Sequence, residues 1–505
     1  MSAPSLLQRL GLAAGAPDRR LAWAVLALGV AFYALGYAAF YPRGATVDDE
    51  DEYIEQTMLW LETGSFRVER VNPVTGQVVS FVPGTYPIGM IVLMAPFSAA
   101  FGPNGAFVAS FLCFLVALGV TARWLADEGR SPLFAAILLA FPASAVAGRL
   151  AMSDTARAAL AALGLWLFFR GLDAQRRRWW LASGLVAGLA LTLRESAVLP
   201  FIPLFAGTLV RRDRGWGWLL LGGALGTAIH GVTSQLAFDN ALFVRGSAGL
   251  YPFDVATLHE RLPLYLIGLL VLVPGGLWFG LRYGGRRQPE IVLTIVLYFL
   301  FYTFQAYGMS ASSFAKRLVI GLRYFDPLLP LLAFAMAESA PRVLSGLLAR
   351  LPGRLRAERW AGAAVALWLA GVTAAAFALH PALDRWGASQ AEIRDTLERM
   401  VPRDAVLVTN GAAIRKFIDD LERPYTTLHR NSVSPERFEQ LREKHGGFVV
   451  AFLDRSDSAY WREDAAQNAA FATQLDAATL LVDVHVTPTD RLRIWRVGEP
   501  RKIPQ

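Results

Sequence analysis

Five carboxylates stand in an unbroken run, Asp48-Asp49-Glu50-Asp51-Glu52, followed by Tyr53 and lying a few residues beyond an apolar stretch over 21–41. Like charges packed that closely raise one another's proton affinity unless cations or hydrogen-bond donors compensate. The run therefore predicts full solvation, a bound divalent cation, or an arrangement in which arginines answer the acids. Ile54, Met58 and Leu61 then recur at i, i+4 and i+7, with Glu55 and Glu62 on other sides. That spacing predicts an amphipathic helix lying along a membrane surface, ended by Gly64. Acids fixed to such a helix sit at headgroup depth, where a lipid-linked phosphate would be presented. Mg²⁺ or Ca²⁺ stays open as an oxygen-ligated partner of the run, although calcium-loop spacing is missing.

The elements that must position these acids are membrane helices. Of 505 residues, 54% are hydrophobic and 18% charged, against about 25% charged in soluble domains. Apolar stretches long enough to cross a bilayer recur at 21–41, 104–122, 132–148, 154–170, 179–193, 196–210, 216–238, 262–281, 291–308, 324–340 and 360–380, about eleven spans in all. The first lacks a small-residue cleavage site and is too long for a signal-peptide core, so it is expected to stay as an uncleaved span. Segment 86–101 is apolar but short and carries Pro87, Gly89 and Pro96; it is expected to be a juxtamembrane helix.

Charge arbitrates that point. With 86–101 not spanning, the inner loops hold 20 Lys and Arg in 73 residues and the outer stretches 11 in 94, the positive-inside pattern. The net charge of +8 thus reads as membrane orientation, not nucleic-acid binding, and the single cysteine, Cys113, excludes an intrachain disulfide.

From about Asp384 the chain becomes charged, and period-2 runs alternate with helical ones. Strands are expected at 406–409, 448–453, 480–486 and 492–497, the last two as a hairpin, and helices at 412–421, 435–445 and 460–475. The fold class is a mostly α polytopic membrane protein over 1–383, including an outer loop at 42–103 with juxtamembrane helices, and a soluble α/β domain over 384–505. There is no GxxxxGK[ST], no HExxH and no Cys-rich or His-rich cluster, and the six histidines are scattered. An ATP-driven pump and a zinc hydrolase are thereby disfavoured.

Several fragments resemble one family in order. Asp49-Glu50-Asp51-Glu52-Tyr53 with Gly64 eleven residues on, Tyr86-Pro87-Ile88-Gly89, Arg149-Leu150-Ala151-Met152-Ser153-Asp154, the Gly-rich run 184–195 and Arg323-Tyr324-Phe325-Asp326-Pro327 together resemble the GT-C class of polyprenyl-phosphate-sugar-dependent glycosyltransferases. That class includes protein O-mannosyltransferases and the lipid A aminoarabinose transferase. The family usually has two prolines after the tyrosine, often with a lysine beside them. This chain has one proline and no lysine there, so the cation for the donor phosphate must come from Arg67, Arg70, Arg157, Arg194, Lys316, Arg317 or Arg323.

The resemblance implies a GT-C fold and inverting transfer of a sugar from a polyprenyl-phosphate donor to a cell-envelope acceptor, on the periplasmic or extracellular face of a bacterial inner membrane. By the same resemblance Asp49 is the general base, with Glu50 beside it. Arg323, supported by Arg194 and Tyr324, holds the donor phosphate, and Asp154, Arg157, Tyr53 and Tyr86 bind substrate. No cofactor is assigned, and a divalent cation, Mg²⁺ or Ca²⁺, stays open as above. The alternative class is a transporter or lipid flippase. Such proteins rest on internal repeats with charge at the midplane, whereas no repeat is visible here and the charges gather at span ends.

Overall fold

In the computed structural model, the residues described are 6–13, 17–82, 86–241, 253–256, 258–305, 317–318, 321–350, 354–410, 414, 417, 423–455, 468–469, 471–488 and 490–499. Lys316 and most of the helices expected at 412–421 and 460–475 fall outside them. Among the described residues, four helices are long and apolar enough to cross a bilayer: Arg19–Ala39, Pro103–Asp127, Asp154–Ala174 and Gly321–Gly346. Trp216–Phe238, at 23 residues, has the length of a span as well.

Other expected spans are built as short pieces in series. Stretch 132–147 divides into Pro132–Ala136, Ile137–Ala140 and Pro142–Ala147, because a proline without an N–H opens a helix more readily than it continues one. Ile88–Phe101 has 14 residues, about 21 Å of helix, short of the ~30 Å hydrocarbon core.

The Gly-rich run proves to be a packing surface. Helix Arg177–Leu189 lies so close to Trp216–Phe238 that a Cβ on Gly184 would strike the carbonyl of Leu219, and one on Gly222 that of Leu181. Small residues let two membrane helices approach backbone to backbone.

The acidic run opens the helix Asp48–Thr63, here called the loop helix, and Gly64 closes it at φ +68° with its N–H on Trp60 O at 2.9 Å. Its buried side is Glu50, Tyr53 and Thr57, while Leu61 is 39% exposed. An antiparallel hairpin, Val68–Val71 with Val78–Phe81, follows. Its turn is set by Asn72, whose Oδ1 accepts from the N–H groups of Val74 and Thr75.

The chain closes with a long helix, Arg354–Met400, about 70 Å from end to end, and a five-stranded sheet. The long helix passes straight through Asp384, so no linker marks the change in composition. The sheet orders its strands as Leu428–His429, Leu407–Thr409, Gly447–Arg455, Asp490–Gly498 and Thr479–His485; the first three run parallel and the last two pair antiparallel as the expected hairpin. Side chains alternate across it. Val449, Ala451 and Leu453 pack with Ile393, Leu397 and Val401 from the end of the long helix, and Phe448, Val450 and Phe452 pack with Phe438 and Leu441 of helix Pro435–His445.

Candidate active site

Three segments far apart in sequence bring their charges together where the loop helix meets the helical body. Arg323, in the 3-10 helix Gly321–Leu328 that opens the span Gly321–Gly346, places Nη2 3.2 Å from Asp49 Oδ2 and Nε 3.4 Å from Asp154 Oδ2. Asp154 opens the helix Asp154–Ala174 and also pairs with Arg157 one turn along. Arg157 donates to Ser196 Oγ at 3.4 Å, and Tyr302 donates to the same oxygen at 2.9 Å.

Arg194 enters from the turn before Ser196 and lies over the Tyr324 ring at 5.7 Å, with Arg323 over that ring at 5.0 Å. Tyr302 stacks beneath Tyr324 with centroids 5.4 Å apart. Arg157 and Asp154 are fully enclosed, whereas Asp49 keeps about a quarter of its side chain exposed. In so dry a place an ion pair is costly unless each charge is answered. Asp154 is answered from two sides by Arg157 and Arg323, and Arg323 from two sides by Asp154 and Asp49. The arrangement offers one accessible carboxylate beside a guanidinium fork suited to an anionic oxygen.

Glu50 points elsewhere. Its Oε2 accepts from Thr46 N at 2.6 Å, Thr46 Oγ1 at 2.8 Å and Val47 N at 2.9 Å, and its Oε1 accepts from Ala151 N at 2.8 Å. Burial pushes this carboxyl above its ordinary range, and the backbone donors of Thr46, Val47 and Ala151 pull against that shift. The expectation of Glu50 as a partner in catalysis thus meets a side chain spent on holding the start of the loop helix to the turn that precedes Asp154. Asp51 pairs with Arg394 at 2.9 Å. The acids splay to separate partners, and among the described residues no three His, Cys, Asp or Glu side chains group as metal ligands.

Comparison with known proteins fits this geometry. Residues 86–232 match the family model described as dolichyl-phosphate-mannose-protein mannosyltransferase. The crystal structure of ArnT from Cupriavidus metallidurans bound to undecaprenyl phosphate superposes with TM-score 0.61 at 18% identity, covering 94% of this chain and 98% of that one. This is the GT-C fold. The Archaeoglobus fulgidus oligosaccharyltransferase shares it more distantly. Its complex with zinc and sulfate gives TM-score 0.50 at 12% identity over 90% of this chain and 70% of that one; its apo form gives 0.52 at 12% over 86% and 69%. No curated protein sequence matches.

Within this GT-C fold, the expected residues Asp49, Asp154, Arg157, Arg194, Arg323 and Tyr324 come together. Arg67 pairs with Asp239 at 2.5 Å and Arg317 with Glu260 at 2.8 Å. Tyr53 and Tyr86, expected to bind substrate, stack on each other at 4.2 Å and are 1% and 2% exposed, so their rings back the site from within. Gly89 of the Tyr86-Pro87-Ile88-Gly89 stretch sits against Thr192, leaving no room for a Cβ. That contact docks the helix Ile88–Phe101 on the turn that presents Arg194.

Ser196, Tyr302 and Asp326 escaped sequence reading. Asp326 accepts from Ser144 Oγ at 2.5 Å, and its place in Arg323-Tyr324-Phe325-Asp326-Pro327 is the one signal that pointed to it.

Proposed function

We propose that this chain transfers a sugar from a polyprenyl-phosphate donor to a hydroxyl-bearing acceptor of the cell envelope. The observation that carries the reading is the contact of Asp49 with Arg323, one carboxylate left partly open beside a guanidinium already braced by Asp154. The ArnT structure with bound undecaprenyl phosphate supports the donor class.

The acceptor oxygen attacks the anomeric carbon as the bond from that carbon to the phosphate oxygen breaks. Asp49 takes the acceptor's proton as general base. The electron pair of the breaking bond stays with the lipid phosphate, whose charge Arg323 and Arg194 stabilise. A single displacement inverts the anomeric centre. Glu50 acts as a positioning residue for Asp49, and the Tyr53–Tyr86 stack as the wall behind it.

In this reading the helical body crosses a bacterial inner membrane about eleven times with its N-terminus inside. Residues 1–383 form the catalytic part, and 384–505 a domain on the same periplasmic side as Asp49. The positive-inside distribution of Lys and Arg supports that orientation.

The test incubates purified protein with a panel of undecaprenyl-phosphate pentoses and hexoses plus a cell-envelope lipid extract, and follows release of free undecaprenyl phosphate. Asp49→Asn keeps the shape and removes the base, so transfer should fall by about 10²–10⁴-fold while undecaprenyl-phosphate binding stays close to wild type. Wild-type transfer in that variant strikes Asp49 from the mechanism, and movement of intact donor across vesicles without cleavage makes the protein a transporter.

A further inference from the structure

The long helix Arg354–Met400 touches the supports of Asp49 at three points along one face. His380, Gly387 and Arg394 are seven residues apart, two helical turns each. His380 Nδ1 meets Arg149 Nη1 at 2.7 Å, and Arg149 also donates to the carbonyl of Phe40, where the first apolar helix ends. Gly387 faces Thr46, the residue whose N–H and hydroxyl hold Glu50: a Cβ there would rest 3.7 Å from Thr46 Cγ2. Arg394 Nη2 lies 2.9 Å from Asp51 Oδ1, two residues beyond Asp49 on the loop helix. Just beside that contact, Ile393 and Leu397 enter the core of the C-terminal sheet.

A second tie grips the chain after the loop helix. Val71 N donates to Pro424 O at 2.9 Å and Thr426 N donates to Val71 O at 3.0 Å, so the hairpin extends the strand pairing of the C-terminal unit. Lys444 Nζ donates to Val74 O at 3.1 Å, and His445 Nε2 lies 2.9 Å from Pro73 O. The loop helix is therefore held at its first turn and beyond its last by the same C-terminal unit.

We infer that Arg394 is a positioning residue for Asp49: through Asp51 it fixes the rotation of the loop helix's first turn, so that the C-terminal unit sets the geometry of the site. The catalytic half of this inference rests on the function proposed above. A partly exposed ion pair contributes little to overall stability, but a reacting group misplaced by ~1 Å loses about 10²-fold in rate. Arg394 thus belongs to the rate and not to the fold.

The test uses the full-length protein in detergent with Arg394→Ala, Arg394→Lys and the charge-exchanged pair Asp51→Arg with Arg394→Asp. Amide hydrogen exchange over residues 48–55 should speed up about tenfold in Arg394→Ala, and release of undecaprenyl phosphate from the active donor should slow by about tenfold to 10²-fold. Undecaprenyl-phosphate binding should change by less than about twofold, because Arg394 acts through Asp51 and is not one of the arginines assigned to the donor phosphate. Arg394→Lys should recover part of both losses, and the exchanged pair should outperform either of its single changes. Unaltered exchange in Arg394→Ala, or an exchanged pair no better than its worse single member, overturns the inference. If the wild type releases no lipid phosphate from any donor, the functional reading falls, while the exchange measurement still decides whether Arg394 clamps the loop helix.

Discussion

Replacing Glu50 with alanine separates a positioning role from a chemical one. Its carboxylate takes the N–H groups of Thr46, Val47 and Ala151 and the hydroxyl of Thr46, and the residue has no exposed surface. Truncation strands those three buried amides at about 1–3 kcal/mol each, a gross penalty of roughly 3–9 kcal/mol. Beside the carboxylate lies a cavity of about 10 Å³ lined by Thr46, Arg149 and Asp384, roughly the room one water needs. Loss of the side chain enlarges it, and water then satisfies part of what was stranded. The net loss expected is about 3–4 kcal/mol, a large share of an ordinary ~5–15 kcal/mol stability.

Glu50→Gln keeps one accepting oxygen, so it should melt between alanine and wild type and slow transfer less than Asp49→Asn. Thermal unfolding followed by intrinsic tryptophan fluorescence, with the lipid-phosphate release assay on the same samples, reads both quantities. A Glu50→Ala protein that melts with the wild type refutes the packing argument. A Glu50→Gln protein of wild-type stability that loses transfer as fully as Asp49→Asn returns Glu50 to the chemistry.

Two further outcomes follow from the geometry. Arg323→Lys replaces a fork that reaches Asp49 and Asp154 together with a point charge that serves one of them, so transfer should drop by about 10²-fold; a rate near wild type would show that the fork is not used. Gly184→Leu drives a side chain into the carbonyl of Leu219 and should cost about 1–3 kcal/mol or more through overpacking. A melting curve unchanged from wild type would show that the two helices have room to part.

The sequence made the loop helix readable because its signals are local: an acidic start, an apolar stripe and a glycine at the left-handed closing position. Helix Pro435–His445 and the four longer strands of the C-terminal sheet were readable for the same reason. The fates of Asp49 and Glu50 were not. One step along a helix turns a side chain by about 100°, so two neighbouring acids face different surroundings: Asp49 meets Arg323, 274 residues away, while Glu50 joins its local donors Thr46 and Val47 to Ala151, 101 residues away.

The Ser196–Tyr302 contact likewise joins residues 106 apart, beyond any periodicity. The hairpin at 68–81 did leave a local trace, the Asn72-Pro73-Val74-Thr75-Gly76 turn, although its strands are only four residues each. The broken spans hid because hydropathy registers a run of apolar residues and is blind to where proline interrupts the hydrogen-bond ladder within it.

Four polar contacts of the C-terminal unit on the hairpin fall on main-chain atoms: the amide and carbonyl of Val71 and the carbonyls of Pro73 and Val74. Such contacts read the course of a chain, which Asn72 bends and Val74 anchors on the C-terminal core. Substitutions elsewhere along the bend leave these four contacts in place, provided that Asn72 keeps the curvature and Val74 its packing. Selection is left free to remodel the outer surface of the bend at its other positions while the joint beneath it stays constant.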